Sequence, residues 1–210
     1  MTVADVSGTA DRFSHSDFPE GAFGAYIFDC DGTLADSMPL HYLSWKAAMA
    51  SHGVDFPEAL FYSWGGKKGR EIVSHLNALL GTAMDVDETV KAKQAYYLDS
   101  VHRIQPIEIV LTIARQSLGR IPMAVASGGN RRLVEKTLTA IGALDWFDVV
   151  VCAEDYARGK PEPDPFLEAA RQLSVPPAAC LVFEDTVTGI QAAAAAGMKY
   201  VEVRDRSAIG

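Results

Sequence analysis

Residues 26–37 read Tyr-Ile-Phe-Asp-Cys-Asp-Gly-Thr-Leu-Ala-Asp-Ser. The apolar run Ala25, Tyr26, Ile27 and Phe28 ends in Asp29 and Asp31, and Gly32 turns the chain at once. That pattern describes a buried strand delivering two carboxylates to its own exposed end. Residues two apart on a strand share a face, and the glycine lets the second carboxylate swing over the first. Acids so close repel, which favours a bound cation or a shared proton. Mg2+ suits such a pair, because it takes oxygen ligands, keeps several waters and works beside phosphate groups. One carboxylate can then attack phosphorus while the other carries protons. The plainer alternative is that these acids cap the helix starting near Ser37 or line a turn, and only the rest of the chain discriminates.

Working outward, a helical pattern runs from about Pro39 to His52, with Leu40, Leu43, Ala47 and Ala50 on one stripe and Gly53 as its stop. His41 and Trp45 lie four apart and share a face, where core packing competes with a substrate-facing role. Residues 64–70, Trp-Gly-Gly-Lys-Lys-Gly-Arg, form a basic, glycine-rich loop before a helix at Glu71–Leu80. Exposed backbone N–H groups leading into a helix start favour anions, although such loops are often plain linkers. A third helical pattern spans Asp85–Val101 and carries Lys91, Lys93, Tyr96 and Tyr97. No strand pattern interrupts residues 39–103, which therefore read as a helical insertion.

Beyond it, helix and strand alternate. Helices are expected at Ile107–Ser117, Asn130–Ile141, Pro165–Leu173 and Gly189–Ala196; strands at Ile121–Ala126, Phe147–Cys152, Leu181–Phe183 and Lys199–Val203. Such alternation implies right-handed crossovers, a parallel sheet with helices on both faces, and a site beyond the carboxyl ends of the strands. Each strand end supplies a polar group: Asp29 and Asp31, then Ser127 with Gly128, then Glu184 and Asp185, with Lys160 following the strand that ends at Cys152. Phosphoryl transfer to a carboxylate requires a nucleophile, a cation with acidic ligands, and donors for the non-reacting oxygens. Taken singly, Lys160 reads as a solvated loop lysine and Ser127 as a helix cap; four coincidences at four strand ends point to a site.

The 210 residues carry a formal net charge of −8, which disfavours nucleic acid and acidic membranes as partners. With 49% apolar and 22% charged residues the chain is globular. Cys30, Cys152 and Cys180 match neither a zinc spacing nor a disulfide framework, and their apolar flanks suggest reduced, buried thiols in the cytoplasm. Strand alternation turns Cys30 away from its flanking aspartates. Residues 1–21 lack the basic start and apolar core of a secretory signal and read as a loose tail.

Asp29-Cys-Asp-Gly-Thr, Ser127, Lys160-Pro and Glu184-Asp185 together resemble, in order, the four motifs of the haloacid dehalogenase superfamily. The insertion after the first motif looks like the small cap of the branch containing β-phosphoglucomutase and the sugar phosphatases. The segments Phe183-Glu-Asp-Thr-Val-Thr-Gly-Ile-Gln-Ala-Ala and Lys160-Pro-Glu-Pro-Asp-Pro-Phe are similar to that branch, and within it to the bacterial fructose 1-phosphate and 6-phosphogluconate phosphatases. The resemblance implies an α/β, Rossmann-like core over 22–38 and 104–210 and a helical cap over 39–103. It implies a Mg2+-dependent phosphatase acting on a small sugar phosphate or sugar acid, with a β-phosphoglucomutase-type mutase as the alternative. A monomer is expected, and from a different class a phosphoaspartate signalling module, which also combines Asp, Lys and Ser or Thr with Mg2+, is the less favoured reading.

Residue by residue, it makes Asp29 the site of an aspartyl-phosphate and Asp31 the acid and base. It places Asp29, the Asp31 backbone carbonyl and Asp185 around Mg2+, with Glu184 nearby. Ser127, Lys160 and the N–H of Gly128 would hold the phosphoryl group, and His41, Trp45, Gly66, Arg70 and Lys93 would face the substrate from the cap. Two departures stand out: Pro106-Ile107 replaces the Pro-Gly of many relatives at the return to the core, and Arg131 occupies the place of a phosphate-contacting Asn in β-phosphoglucomutase. A dehalogenase would be expected to lack a second acid, so Asp31 speaks against that activity.

Overall fold

The computed structural model describes residues 18–64 and 68–203. The expected tail thus falls largely outside the described residues, as does Gly66. Five parallel strands form one sheet in the order β5-β4-β1-β6-β7: β1 Ala25–Phe28, β4 Met123–Ala126, β5 Val149–Val151, β6 Cys180–Glu184 and β7 Lys199–Glu202. Strand β1 is central, with Phe28 opposite Val125 on one side and Phe183 on the other. The chain winds outward from β1 first through β4 and β5 and then, in the other direction, through β6 and β7. Crossovers therefore diverge on either side of β1, and a crevice opens at its carboxyl end.

Alternation along the strands splits the core into two layers. Phe28, Cys30, Met123, Val125, Leu181 and Phe183 face one side, where α5 (Glu108–Ser117) and α6 (Arg131–Ala140) add Val110, Ala114, Val134 and Leu138. Phe28 and Phe183 stack there at 4.6 Å between ring centroids. Ile27, Ala124, Ala126 and Val182 face the other side, covered by Phe166 and Ala169 of α7 (Asp164–Leu173) and Ala192 and Ala193 of α8 (Val187–Ala195). Burial of one such phenylalanine contributes roughly 1.5–3 kcal/mol. Helix starts are fixed by side chains: Asn130 accepts from the Arg132 N–H and Thr186 from the Gly189 N–H.

Between β1 and β4 the chain leaves through β2 (Ala35–Asp36) and returns through β3 (Gln105–Pro106), which pair antiparallel. This two-residue ladder is too short to leave a periodic signal in the sequence. Among the described residues four α-helices lie between: α1 Met38–Ala50, α2 Glu58–Ser63, α3 Gly69–Leu80 and α4 Val86–Ser100. They enclose their own apolar cluster, including Trp45, Met49, Phe56, Phe61, Val73 and Leu76.

The expected stripe on α1 is corrected. Leu43 and Ala50 are exposed, and the buried face is Leu40, Ser44, Trp45, Ala48 and Met49. Trp45 and Met49 carry far more apolar surface than Ala47 and Ala50, so the helix turns them inward. Helix α2 was not expected at all, being only six residues long. All three cysteines are buried and unpaired, and Cys30 packs in the Phe28 layer, away from the crevice. Among the described residues no helix is long and apolar enough to cross a membrane.

Candidate active site

The crevice at the end of β1 gathers Asp29, Glu184 and Asp185, one carboxylate oxygen from each lying within 4.8 Å of the others. Two glycines make the approach possible. A Cβ on Gly189 would sit 2.0 Å from the Glu184 carboxyl carbon, and one on Gly32 would sit 2.3 Å from Asp185 Oδ2. Gly32 also has φ +90°, a conformation disfavoured for other residues. Glu184 is oriented by the Thr186 hydroxyl at 2.7 Å and the Thr186 N–H at 2.9 Å, and Asp185 by the Thr33 hydroxyl at 2.9 Å.

Lys160 enters from the loop before α7 and donates to Asp29 and to Glu184, each at 2.6 Å. Its ammonium also lies 4.8 Å from the centroid of the buried Phe166 ring. One cation among three acids leaves negative charge in excess. Burial and then the Glu184 charge hold the Asp29 carboxyl well above its usual range despite Lys160, and burial with Glu184 pushes Asp185 up to about 7. Lys160 itself is pushed upward: burial opposes its charge, but Asp29 and Glu184 outweigh that. A compact set of oxygen donors with unneutralised charge fits a divalent cation.

Asp31 stands apart from this cluster. Its carboxylate accepts the Ser37 hydroxyl at 2.5 Å and faces His41 Nε2 at 3.1 Å. Burial works against its charge, yet His41, Ser37 and the more distant Lys93 prevail and hold it at about 2. Lys93 donates to His41 Nδ1 at 2.7 Å. Because an ammonium only donates, His41 must carry its proton on Nε2, directed at Asp31. Burial and the Lys93 charge push the His41 imidazole below its ordinary value, and burial brings Lys93 down to about 8. The His41 ring stacks on Tyr97 at 4.3 Å, and the Tyr97 hydroxyl meets Thr137 of α6 at 2.7 Å.

Ser127 follows β4, is buried, and accepts from the Gly129 N–H at 3.0 Å through its hydroxyl. A Cβ built on Gly129 would lie 3.3 Å from that hydroxyl and 3.7 Å from Asp31 Oδ2, so Ser127 and Asp31 border one space. The structure thus brings together Asp29, Asp31, Ser127, Lys160, Glu184 and Asp185, with His41 and Lys93 joined through Asp31. Trp45 is buried, with Lys93 5.8 Å from its ring centroid. Arg70 is exposed and engaged by Asp87 within the helical segment; among the described residues no ion pair joins it to Asp29, Asp31, Glu184 or Asp185. Arg131 reaches Asp155, Glu135 and the Val150 carbonyl.

Sequence reasoning missed Thr33, Ser37, Tyr97 and Thr186. Thr33 and Ser37 lie inside the quoted stretch and Tyr97 lies one helical turn from Lys93, so spacing alone could have nominated them.

A family model described as a haloacid dehalogenase-like hydrolase matches residues 23–197. The chain is 34% identical over 186 residues to the fructose-1-phosphate phosphatase YqaB of Escherichia coli (strain K12), covering 87% of this chain and 97% of that protein. It is 33% identical to the validoxylamine A 7'-phosphate phosphatase of Streptomyces hygroscopicus subsp. limoneus, covering 82% and 81%. Among solved structures it is similar to β-phosphoglucomutase (pgmB) from Clostridium difficile, with TM-score 0.75, 25% identity and coverage of 89% and 87%.

Proposed function

Since the chain belongs to the haloacid dehalogenase-like hydrolase family, we propose that it is a Mg2+-dependent phosphatase that hydrolyses a small sugar phosphate through an aspartyl-phosphate on Asp29. One observation carries this reading: two carboxylates two residues apart occupy opposite environments. Asp29 lies beside Lys160, Glu184 and Asp185, whereas Asp31 is held by Ser37 and His41. Separated environments assign separate roles.

Asp29 attacks phosphorus, and the bond from phosphorus to the sugar oxygen breaks. Asp31 gives that oxygen a proton, then regains one from the water that attacks the aspartyl-phosphate, so inorganic phosphate leaves and both acids are restored. The bonds from Ser37 and His41 favour ionised Asp31, the form needed for the water step; the proton it gives in the first step is taken up from the monoanion of the phosphate monoester, and the one it gains from water returns to the departing phosphate. Lys160, the Ser127 hydroxyl and the Gly128 N–H receive the non-reacting oxygens. Asp29, Asp185 and the Asp31 carbonyl, with Glu184 nearby, would hold Mg2+, which would supply positive charge for the phosphoryl oxygens. The helices within residues 39–103 act as the cap, bringing His41 and Lys93 to the substrate, with Trp45 beside Lys93 on that side.

Both curated relatives described above are phosphatases, and Arg131 is committed to Asp155, which supports hydrolysis over phosphoryl transfer to a second sugar hydroxyl. A panel of sugar phosphates assayed with Mg2+ for phosphate release, beside conversion of β-glucose 1-phosphate to glucose 6-phosphate, tests the reading. Release of phosphate from at least one sugar phosphate is expected; rapid isomerisation with negligible release would overturn it in favour of a mutase.

A further inference from the structure

Tyr156 has no part in the chemistry assigned to Asp29 and Asp31, yet its hydroxyl donates to the backbone carbonyl of Ser127 at 3.1 Å. A peptide unit is planar and trans, so the Ser127 carbonyl and the Gly128 N–H are opposite ends of one rigid plate. Gly128 has no side chain to hinder rotation of that plate, and a Cβ there would find only the Tyr156 hydroxyl, 4.0 Å away. Whatever holds the carbonyl therefore aims the N–H.

The tyrosine is itself held firmly. Its half-buried ring packs against the apolar layer that contains Phe166 and Val151, and Phe166 carries Lys160 on its face. The preceding loop is tied to α6 by paired acids. Asp155 accepts from the Arg131 guanidinium at 2.5 Å and the Cys152 N–H at 2.7 Å, and Glu154 accepts from Asn130 Nδ2 at 2.8 Å and the Arg131 N–H at 3.2 Å. The Ala153 N–H donates to the Gly129 carbonyl at 3.0 Å, closing the loop onto the turn.

We propose that Tyr156 is a positioning residue which, by holding the Ser127 carbonyl, directs the Gly128 N–H toward the transferring phosphoryl group. The inference rests on the phosphatase reading. Tyr156→Phe removes the hydroxyl and keeps the ring; Arg131→Lys loosens the loop that presents it.

The test uses the full chain with Mg2+, p-nitrophenyl phosphate as substrate and inorganic phosphate as competitive inhibitor, with thermal midpoints measured alongside. Y156F should weaken phosphate inhibition and lower kcat/KM by similar factors, each about tenfold for one well-aimed hydrogen bond, without loss of the folded state. R131K should shift both quantities the same way by less, and the double variant should be no worse than Y156F alone. Unchanged phosphate inhibition in Y156F would overturn the proposal. So would a loss confined to bulky sugar phosphates, which would make Tyr156 a direct substrate contact. A wild-type chain that neither hydrolyses the probe nor is inhibited by phosphate would instead remove the phosphatase reading on which the proposal stands.

Discussion

Asp29, Ser127 and Glu184 ride on strand ends whose backbones are hydrogen-bonded to neighbouring strands, whereas His41 and Lys93 ride on helices that reach the sheet through a few side chains such as Leu40 and Tyr97. The first group is placed by the ladder itself, so its geometry survives most side-chain changes nearby. The second is placed by packing between α1 and α4 and by one bond from Tyr97 to Thr137. On the proposed function, a shared sheet would give the chemistry its precision, and a separately packed helical layer would leave selectivity free to vary.

The largest expected effects test the strand-end group. Asp29→Asn and Asp31→Asn should each lower kcat on any phosphate monoester by a factor on the order of ten thousand or more, since the steps they carry have no substitute. Unchanged turnover in either variant would remove the role assigned to that residue. Lys160→Met should also unfold more readily, by about 3–5 kcal/mol in urea titration, because it strips the one cation from buried acids. Added Mg2+ should recover part of that loss, and a variant indifferent to Mg2+ would contradict the acidic cluster as a metal site.

Lys93→Met should cut kcat/KM on the best sugar phosphate by about ten- to a hundredfold while changing p-nitrophenyl phosphate hydrolysis much less. Equal losses on both would erase the division between the two regions. The same variant isolates a pH effect. Burial lowers Lys93 from 10.5 to about 8, so between those values the unfolded chain binds more protons than the folded one and stability rises with pH. Wild type should therefore gain on the order of 2 kcal/mol relative to Lys93→Met from pH 8 to 10.5. The smallest effect concerns the corrected face of α1: Leu43→Ala should cost about 0.5 kcal/mol or less, against about 2–5 kcal/mol for Met49→Ala.

The same division explains what could be read from sequence. Strand period and turn residues are local properties, so Asp29, Ser127 and Glu184 stood out at the ends of apolar runs and Lys160 in a Gly-Lys-Pro loop after one. Which face of α1 turns inward depends on α3 and α4, which is why a stripe through Leu43 and Ala50 looked plausible and was not the buried one. Arg70 belongs to a basic stretch that reads as an anion-binding loop, yet it lies in the first turn of α3, where Asp87, seventeen residues on, engages it, and no local pattern reports such a partner. Tyr156 carried no sequence signal because its task belongs to a peptide plane in another loop.

The pairing of Ala35–Asp36 with Gln105–Pro106 has a consequence for the architecture as a piece of polymer. Exit and return of the helical excursion are hydrogen-bonded neighbours, so to the five-stranded sheet everything between them is a single closed loop. Its length enters the free energy of the core only logarithmically, each doubling costing roughly 0.6 kcal/mol. By that term alone, a shorter or longer excursion spliced between the same two dipeptides would leave the sheet nearly as stable, provided that it restores the packing now supplied by Leu40 and Tyr97.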